Sequence, residues 1–342
     1  MQKVSKNFKK GFSLIEISIV LLIIGILISG ILVGQDMILD AKIKSAQNLT
    51  KTSPVNKITD LTLWLDVNAE KSLISTATDN RCLSKYMSYQ DLLGNETICA
   101  WRDINSQKSL GADMSDKIAL SINTAHALNA MPTYVVNGIG GLPSLYFDDS
   151  DYLISSIPPS TDVVNTIFNV DLHSLLSSSE VSFFIVQQFE GSPTSARNPS
   201  TLFYNTADFL VRSNDRTTAN GVAPNNYTPT LKFGNDNHRL STVLSSTITA
   251  PQVLAFTRDA TSVKLTINSV NQALSPSPTS AAIISNSSAP IYLGTEGLST
   301  GNLVNAFKGK ISEIIVFNRR ISERERVQVE NYLLQKYKIK KT

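Results

Sequence analysis

An apolar run near the N-terminus constrains this chain more than any other feature. It extends from Phe12 to Val33 without a proline and with a single charged residue, Glu16. A helix of that length spans the roughly 30 Å hydrocarbon core of a bilayer. A cleaved secretory signal has a shorter apolar region and a small-residue cleavage site at its far end, and this run has neither. The sequence therefore predicts a transmembrane helix over 12–33.

Glu16 is costly in such a helix, because a carboxylate in hydrocarbon costs about 2.5–3.5 kcal/mol on insertion scales. The stretch KKGFSLIEISIVLLIIGIL around it resembles the prepilin signature of type IV pilins and type II secretion pseudopilins. The resemblance implies that a prepilin peptidase cuts between Gly11 and Phe12, and that Phe12 is then N-methylated. It also implies that Glu16 is an assembly contact, whose carboxylate pairs with the N-terminal ammonium of a neighbouring subunit. An ordinary single-pass anchor is the alternative, and it explains neither Glu16 nor the Gly11–Phe12 junction.

The positive charge of the chain is concentrated in its first residues. The leader contains the four lysines Lys3, Lys6, Lys9 and Lys10, whereas the formal net charge of the whole chain is +3. The remainder therefore carries about −1, and it lacks the clusters of basic and aromatic residues typical of nucleic-acid binding. A basic leader favours the cytoplasmic side of the membrane. We expect a single-pass protein of the bacterial inner membrane with a periplasmic C-terminal domain, which can be assembled into an extracellular pilus, and no nucleic-acid partner.

Four segments are expected along the chain. They are a leader over 1–11, a pilin-type helix over 12–52, a linker over 53–60 and a C-terminal domain over 61–342. The helix is expected to end before Pro54, because the residue preceding a proline disfavours helical geometry.

Beyond the linker, short β-rich runs alternate with clusters of Ser, Thr, Asn, Gly and Pro, which is typical of an all-β sandwich or barrel. Within 262–268, Val263, Leu265 and Ile267 alternate with polar residues, which predicts one buried and one solvent-exposed face. One further helix is predicted near the C-terminus, where Ser322 and Glu325 form a capping box. The predicted strands are 61–67, 143–149, 181–189, 201–205, 209–213, 229–234, 252–259, 262–268, 290–296 and 309–319.

The order of these segments resembles the LamG-like, or concanavalin A-like lectin/glucanase, jelly roll. The resemblance rests on LWLD, WRDINSQ, GIGGLPSLYFDDSDYL, FFIVQQF, VLAFTRDATSVKLTIN, YLGTE and GKISEIIVFNRRISERERVQVENYLLQKY, which span most of 61–338. It implies an all-β concanavalin A-like sandwich that follows the N-terminal transmembrane helix and ends in a short C-terminal helix.

The chain lacks the patterns of common catalytic sites. Retaining glucanases of this fold use Glu-x-Asp-x-x-Glu, since the reaction needs two carboxylates about 5 Å apart, and no such run is present. The glutamates of SERERVQVE are expected on a solvated helix face, and NGIGGLPS is expected to be a turn rather than a dinucleotide loop. His126, His173 and His238 match no zinc pattern. No enzymatic activity is predicted, and a membrane-anchored polysaccharide-acting enzyme is the alternative.

Two groups in the C-terminal domain are candidates for ligand contact. Asp148, Asp149 and Asp151 form the densest acidic cluster, which is expected to be turn chemistry, with calcium binding as the alternative. Trp64 and Trp101 are expected in the core, with stacking on a sugar ring as the alternative. No cofactor is predicted apart from that calcium ion.

Cys82 and Cys99 close a short polar loop if they pair. Disulfides persist in oxidising compartments, and the export implied by the N-terminus places this loop in one. In the chain-entropy model such a bridge contributes about 3 kcal/mol. We expect a Cys82–Cys99 disulfide, and two unrelated thiols are the alternative.

Together these features predict a minor pilin or pseudopilin-like subunit of a type IV pilus or a type II secretion system, with a LamG-like head for binding and adhesion. The expected partners are the prepilin peptidase, other pilin or pseudopilin subunits through the N-terminal helix, the inner membrane, and a glycan or protein ligand of the head.

Overall fold

The computed structural model describes residues 13–75, 87, 91–92, 94–107, 118–121, 131–154, 180–190, 200–205, 209–214, 229–233, 239–241, 249–259, 261–274, 291–299 and 302–341. The chain divides into two units, Met1–Ser45 and Ala46–Thr342. Gly11, Phe12, Cys82 and the three histidines lie outside the described residues.

Helix α1 extends over Leu14–Thr52. The segment Leu14–Ile31 has a mean hydropathy of 2.8 and no buried residue, and by length and composition it suits a membrane span. The helix ends before Pro54, as predicted, because a proline has no backbone N–H to continue the helical hydrogen bonds and restricts the residue before it.

Short strands make up most of the second unit. All ten predicted runs are strands, whereas nine further strands of five residues or fewer are not predicted from the sequence. The described strands are β1 (Leu61–Asp66), β2 (Leu73–Ser75), β3 (Ile98–Arg102), β4 (Ile118–Ser121), β5 (Thr133–Val135), β6 (Ser144–Asp148), β7 (Leu153–Ile154), β8 (Val181–Phe189), β9 (Ser200–Asn205), β10 (Phe209–Asn214), β11 (Thr230–Phe233), β12 (Arg239–Ser241), β13 (Gln252–Arg258), β14 (Val263–Ile267), β15 (Val270–Gln272), β16 (Ile291–Leu293), β17 (Leu298–Ser299), β18 (Asn302–Leu303) and β19 (Lys308–Phe317).

The strands form two large antiparallel sheets and a small ribbon. The eight-stranded sheet has the order β15-β14-β13-β8-β19-β6-β5, with β1 paired to β19. The nine-stranded sheet has the order β12-β11-β10-β9-β16-β7-β4-β3-β2, and β17 pairs with β18. In the eight-stranded sheet, β19 pairs with β8 on one side and with β6 and then β1 on the other. The first and last strands of the sandwich are therefore neighbours.

The C-terminal helix α2 covers Glu323–Lys336. Its capping box is formed as predicted: the Ser322 side chain accepts from the Glu325 backbone N–H, and the Glu325 carboxylate accepts from the Ser322 backbone N–H at 2.7 Å. The predicted architecture is confirmed: an N-terminal apolar helix, an antiparallel β-sandwich and a short C-terminal helix.

Two hydrophobic cores lie on opposite faces of the eight-stranded sheet. The inner core fills the space between the two sheets. It is formed by every second residue of the strands, because successive side chains of a strand point to opposite faces. The outer core lies between the eight-stranded sheet, α2 and the segment that follows Ser45, and it includes Ala46, Val55, Trp64, Phe184, Ile315, Val329 and Leu333.

The outer core explains why one predicted alternation is wrong. Thr266 and Asn268 in the 262–268 run were expected on a solvent-exposed face, yet both side chains are buried. Helix α2 covers this part of the sheet, and Thr266 donates a hydrogen bond to Glu330 of the helix. Glu330 itself has no exposed side-chain surface and pairs with Arg326, so the expected solvation of the SERERVQVE glutamates is wrong at this position.

The segment expected as a linker packs against the sandwich. Residues Val55–Lys57 form a short 3₁₀ helix, and Val55 and Ile58 are buried. The Gln107 side chain donates to the carbonyl oxygen of Ile58 at 2.7 Å. Through this contact, the loop after β3 holds the segment in place.

Candidate functional site

Glu16 lies in the first turn of α1. Its carboxylate accepts a hydrogen bond of 2.8 Å from the backbone N–H of Ser13. An acidic side chain is also favoured there by the helix dipole. Glu16 therefore satisfies a free N–H group of its own helix, a local role that sequence reasoning missed. The predicted cleavage and methylation residues, Gly11 and Phe12, lie outside the described residues.

The membrane-length part of α1 presents a continuous apolar surface. Its large hydrophobic side chains are between 44% and 84% exposed, from Ile24 to Leu14. A side chain added at Gly25 or Gly30 would meet no atom within 4 Å. Such a surface requires lipid or other helices to cover it.

The densest group of buried charges lies beneath α2. Lys336 Nζ is 2.6 Å from Asp66 Oδ2 on β1 and 2.7 Å from Glu313 Oε2 on β19, and none of the three side chains is exposed. The ammonium also donates to the Thr50 hydroxyl at 2.9 Å. We call this group the Lys336 cluster; its members are Thr50, Asp66, Glu313, Tyr332, Lys336 and Tyr337.

Hydrogen-bond donors converge on Glu313 within the cluster. Its Oε1 accepts from Trp64 Nε1 at 2.8 Å and from the Tyr332 hydroxyl at 2.9 Å. Its Oε2 accepts from Lys336 and, at 2.9 Å, from the Tyr337 hydroxyl. Two carboxylates face one ammonium, so these neutral donors offset part of the uncompensated negative charge.

Burial and pairing act in opposite directions on the pKa values in the cluster. Burial raises the pKa of Glu313, and the charge of Lys336 opposes this effect. Burial alone would lower the pKa of Lys336, but Asp66 and Glu313 raise it above the ordinary lysine value. Burial also raises the pKa values of Tyr332 and Tyr337 well above that of a free tyrosine. At neutral pH the lysine is charged, and both tyrosines are neutral donors.

The two family-like motifs around the tryptophans meet in the structure. Asp103 Oδ1 accepts from the backbone N–H of Trp64 at 2.9 Å and from that of Asn105 at 3.0 Å. Trp64 and Trp101 are 1% and 0% exposed, so both belong to the core as predicted. The alternative that either ring stacks on a sugar is wrong, because neither face is accessible.

A cleft of about 520 Å³ opens beside these motifs. One wall comes from the end of α1 and the other from the loop after β3. Its surface is more apolar than polar, and amide, hydroxyl and charged groups of both signs are interspersed in it. The residues that offer these groups include Gln47, Lys51, Asn56, Glu70, Arg102 and Ser106.

The acidic cluster 148–151 forms a turn after β6. Asp148 Oδ1 accepts from the backbone N–H of Ser150 at 2.9 Å, and Asp151 Oδ2 accepts from the backbone N–H of Asp148 at 2.9 Å. Within the described part of the chain, no group of three or more His, Cys, Asp or Glu side chains could hold a metal ion. The calcium alternative at Asp148, Asp149 and Asp151 therefore has no support from this geometry.

Asp151 differs from its two neighbours because it is only 4% exposed. Burial, together with the negative charge of Asp148, raises the pKa of Asp151 to about 8. The carboxyl group is thus neutral over much of the physiological range.

Cys99 is fully buried on β3, with its Sγ 3.7 Å from the carbonyl oxygen of Ser75. Cys82 lies outside the described residues, so the Cys82–Cys99 disulfide stays a prediction. His126, His173 and His238 also lie outside the described residues, so the expectation that they form no zinc site stays a prediction.

Sequence reasoning missed the Lys336 cluster. A lysine near the C-terminal end of a helix is already explained by the helix dipole, which favours a cation there, so Lys336 gives no sign of buried partners. Its partners are far away in the chain, and no short pattern links them. The one available signal was that Lys336 lies one helical turn after Tyr332, on the apolar face of the helix.

Comparison with protein families identifies a known motif at the N-terminus. The model of the prokaryotic N-terminal methylation motif matches residues 6–32, which include the Gly11–Phe12 junction and Glu16. Sequence comparison with curated proteins finds no match.

Three solved structures illustrate what the chain is similar to. The CBM40 domain of the Ruminococcus gnavus IT-sialidase, bound to alpha2,3-sialyllactose, is 14% identical with a TM-score of 0.33, over 46% of this chain and 85% of that one. Domain 4 of AbnA, a GH43 extracellular arabinanase from Geobacillus stearothermophilus, in complex with arabinotriose, is 15% identical with a TM-score of 0.33, over 63% and 81%. The binding domain of botulinum neurotoxin serotype D is 11% identical with a TM-score of 0.42, over 82% and 52%. The chain thus joins a type IV pilin-like N-terminal methylation motif and an apolar helix to an antiparallel β-sandwich head.

Proposed function

We propose that this chain is a minor pilin or pseudopilin-like subunit of a type IV pilus or a type II secretion system. One observation carries the proposal: the methylation motif of residues 6–32 includes the apolar helical segment Leu14–Ile31, none of whose residues is buried. Before assembly, the inner membrane covers this surface. After assembly, the helices of neighbouring subunits cover it, and Glu16 pairs with their N-terminal ammonium groups.

The size of the head supports a minor position in the assembly. The second unit extends from Ala46 to Thr342, and its two large sheets form a broad sandwich. A bulky head is easier to accommodate at a tip than in every subunit of a helical filament. The prepilin peptidase and the other subunits are then its first partners.

The head is proposed to bind a glycan or a protein rather than to catalyse a reaction. The cleft beside Trp64 combines apolar surface with a few polar groups, as ligand sites commonly do, and the retaining-glucanase run Glu-x-Asp-x-x-Glu is absent from the sequence. No observation favours the alternative of a membrane-anchored polysaccharide-acting enzyme. A glycan array probed with the detergent-extracted full chain separates adhesion to glycans from a role confined to secretion.

Processing tests the first part of the proposal. Wild type and a Gly11→Ala variant are expressed in cells with an active prepilin peptidase, and the membrane-extracted proteins are analysed by N-terminal sequencing and intact mass. We expect wild type to begin with N-methylated Phe12 and Gly11→Ala to keep its leader. Gly25→Ala is the matched control, because an added side chain there meets no atom within 4 Å. Retention of Met1 in wild type would refute the proposal.

A further inference from the structure

We infer that Lys336 is a positioning residue that holds the last turns of α1, residues 46–52, on the head through the hydroxyl group of Thr50. The inference rests on the proposed function only in taking this helix to be the one that enters the assembly. The contacts that carry it all lie within the unit Ala46–Thr342.

The number of donors on Lys336 is the first argument. An ammonium group has three N–H donors and no acceptor. Two carboxylates of the sandwich, Asp66 and Glu313, lie 2.6 and 2.7 Å from Nζ, and the Thr50 hydroxyl lies at 2.9 Å. The Tyr332 hydroxyl is a more distant neighbour at 3.1 Å. Removal of Thr50 would therefore leave a donor of a buried cation without its close acceptor.

Thr50 also contacts the negative side of the cluster. Its hydroxyl is 2.9 Å from Asp66 Oδ2, where it donates, and it is 3.1 Å from the Tyr332 hydroxyl. The side chain is buried, with 7% of the residue exposed, so water does not readily replace these partners. A single hydroxyl group thus joins α1 to a cation and an anion of the head.

The same face of the helix makes two further contacts with the head. Ala46 belongs to the outer core, one helical turn before Thr50. The Gln47 side chain donates to the carbonyl oxygen of Asn68 at 3.0 Å. Opposite this face, Thr52 is exposed, and its hydroxyl donates within its own helix, to the carbonyl oxygens of Asn48 at 2.8 Å and Leu49 at 3.5 Å.

These contacts have a mechanical consequence. Separation of residues 46–52 from the head would expose or strand the buried charges of Asp66, Glu313 and Lys336, which is costly. A force applied to the head is therefore transmitted to residues 46–52 of α1 by the Lys336 cluster as well as by the chain segment that follows Thr52.

Hydrogen exchange of the detergent-extracted full chain tests this inference. A Thr50→Val variant keeps the shape and the β-branched character of the residue and removes only the hydroxyl group. We expect amide exchange in residues 46–52 to be about tenfold faster than in wild type, with no change in β8. Thr50→Ser keeps the hydroxyl group and is expected to exchange as slowly as wild type. Lys336→Met should accelerate exchange both in residues 46–52 and in β8, because it also leaves two buried carboxylates of the head without their cation.

Thr52→Val is the matched control, because it makes the same substitution two residues away on the exposed face. It should exchange like wild type. Unchanged exchange of residues 46–52 in Thr50→Val would overturn the inference, as would an equal acceleration in β8, which indicates general destabilisation. The measurement does not depend on cleavage or filament assembly, so its failure is distinguishable from failure of the proposed function in the Gly11→Ala experiment.

Discussion

Lys336 and Asp66 form an ion pair with an N–O distance of 2.6 Å, and neither side chain has any exposed surface. The pair joins the last residue of α2 to the last residue of β1. Glu313 on β19 completes a three-way contact, so one lysine links the C-terminal helix to both paired terminal strands of the sandwich. Such a group adds stability only while every member is paired.

Loss of the lysine should therefore destabilise the head strongly. We expect Lys336→Met to lower the free energy of unfolding by about 3–5 kcal/mol, because it leaves two buried carboxylates without their cation. Chemical denaturation of the extracted protein measures this change. Lys340→Met, at an exposed position near the same end of the chain, is the control and should change stability by less than about 0.5 kcal/mol. Adding Asp66→Asn to Lys336→Met should recover part of the loss, and a fully additive double variant would contradict the coupling.

Asp151 should make stability depend on pH. Its pKa is about 8 in the folded protein, whereas an aspartate in the unfolded chain titrates near 4, so the folded state holds the proton more tightly. Its contribution is complete below about pH 4 and is lost as the pH rises through 8, by up to about 5 kcal/mol for a shift of about four pKa units. Asp151→Asn mimics the neutral form and should reduce this loss. The readout is the difference between the two proteins in free energy of unfolding at pH 5 and pH 8, and parallel curves would exclude the effect.

Gly140 should tolerate no side chain. Its φ angle is +66°, and an added Cβ would lie 2.1 Å from the carbonyl oxygen of Tyr337, just beyond the end of α2. Gly140→Ala must displace that backbone, and we expect a loss of more than about 2 kcal/mol in the free energy of unfolding. Gly297→Ala is the control, because its φ is also positive but its Cβ would meet only the Tyr292 ring at 3.8 Å. Similar losses in both variants would mean that the φ angle alone matters.

The role of Glu16 can be determined with variants that separate the effect of its negative charge from that of its hydrogen bond to the Ser13 N–H. Glu16→Gln keeps an acceptor for the Ser13 N–H but removes the carboxylate charge. If Glu16 pairs with the ammonium of a neighbouring subunit, Glu16→Gln and Glu16→Val should both insert into the membrane and be cleaved, yet be depleted from sheared filaments. Glu16→Asp should be intermediate, since its reach is shorter. Ser18→Val controls for a change of side chain in the same turn. Recovery of Glu16→Gln at the wild-type level would show that the local hydrogen bond is its whole role.

The Cys82–Cys99 disulfide should be recovered by non-reducing peptide mapping of freshly isolated protein. We expect Cys82→Ser to lower the stability of the oxidised protein by about 3 kcal/mol, because the bridge restricts the unfolded chain. The same substitution should have little effect when wild type and variant are compared under reducing conditions. Recovery of both cysteines as free thiols would contradict the pairing.

The sequence alone determined the features that depend on neighbouring residues. The methylation motif is a contiguous pattern around Gly11, Phe12 and Glu16, and the apolar run that contains it is long enough to define a helix by itself. The end of α1 before Pro54 and the capping box at Ser322 follow from local backbone chemistry. The longer strands were predictable because each has its own run of β-branched and aromatic residues, whereas short strands such as β7 take their structure from the strands beside them.

Only the tertiary structure decided which polar residues are buried. Thr266 and Asn268 alternate with apolar residues as exposed positions do, yet Thr266 contacts Glu330 of α2 and the Asn268 side chain accepts from the backbone N–H of Val253. Lys336 and Thr50 are 286 positions apart in the chain, and their contact exists because α2 and the end of α1 pack on the same face of the eight-stranded sheet. A periodic pattern reports which residues share a face of one element, but it does not report what that face meets. That depends on the packing of the elements, which is why the Lys336 cluster could not be predicted from the sequence.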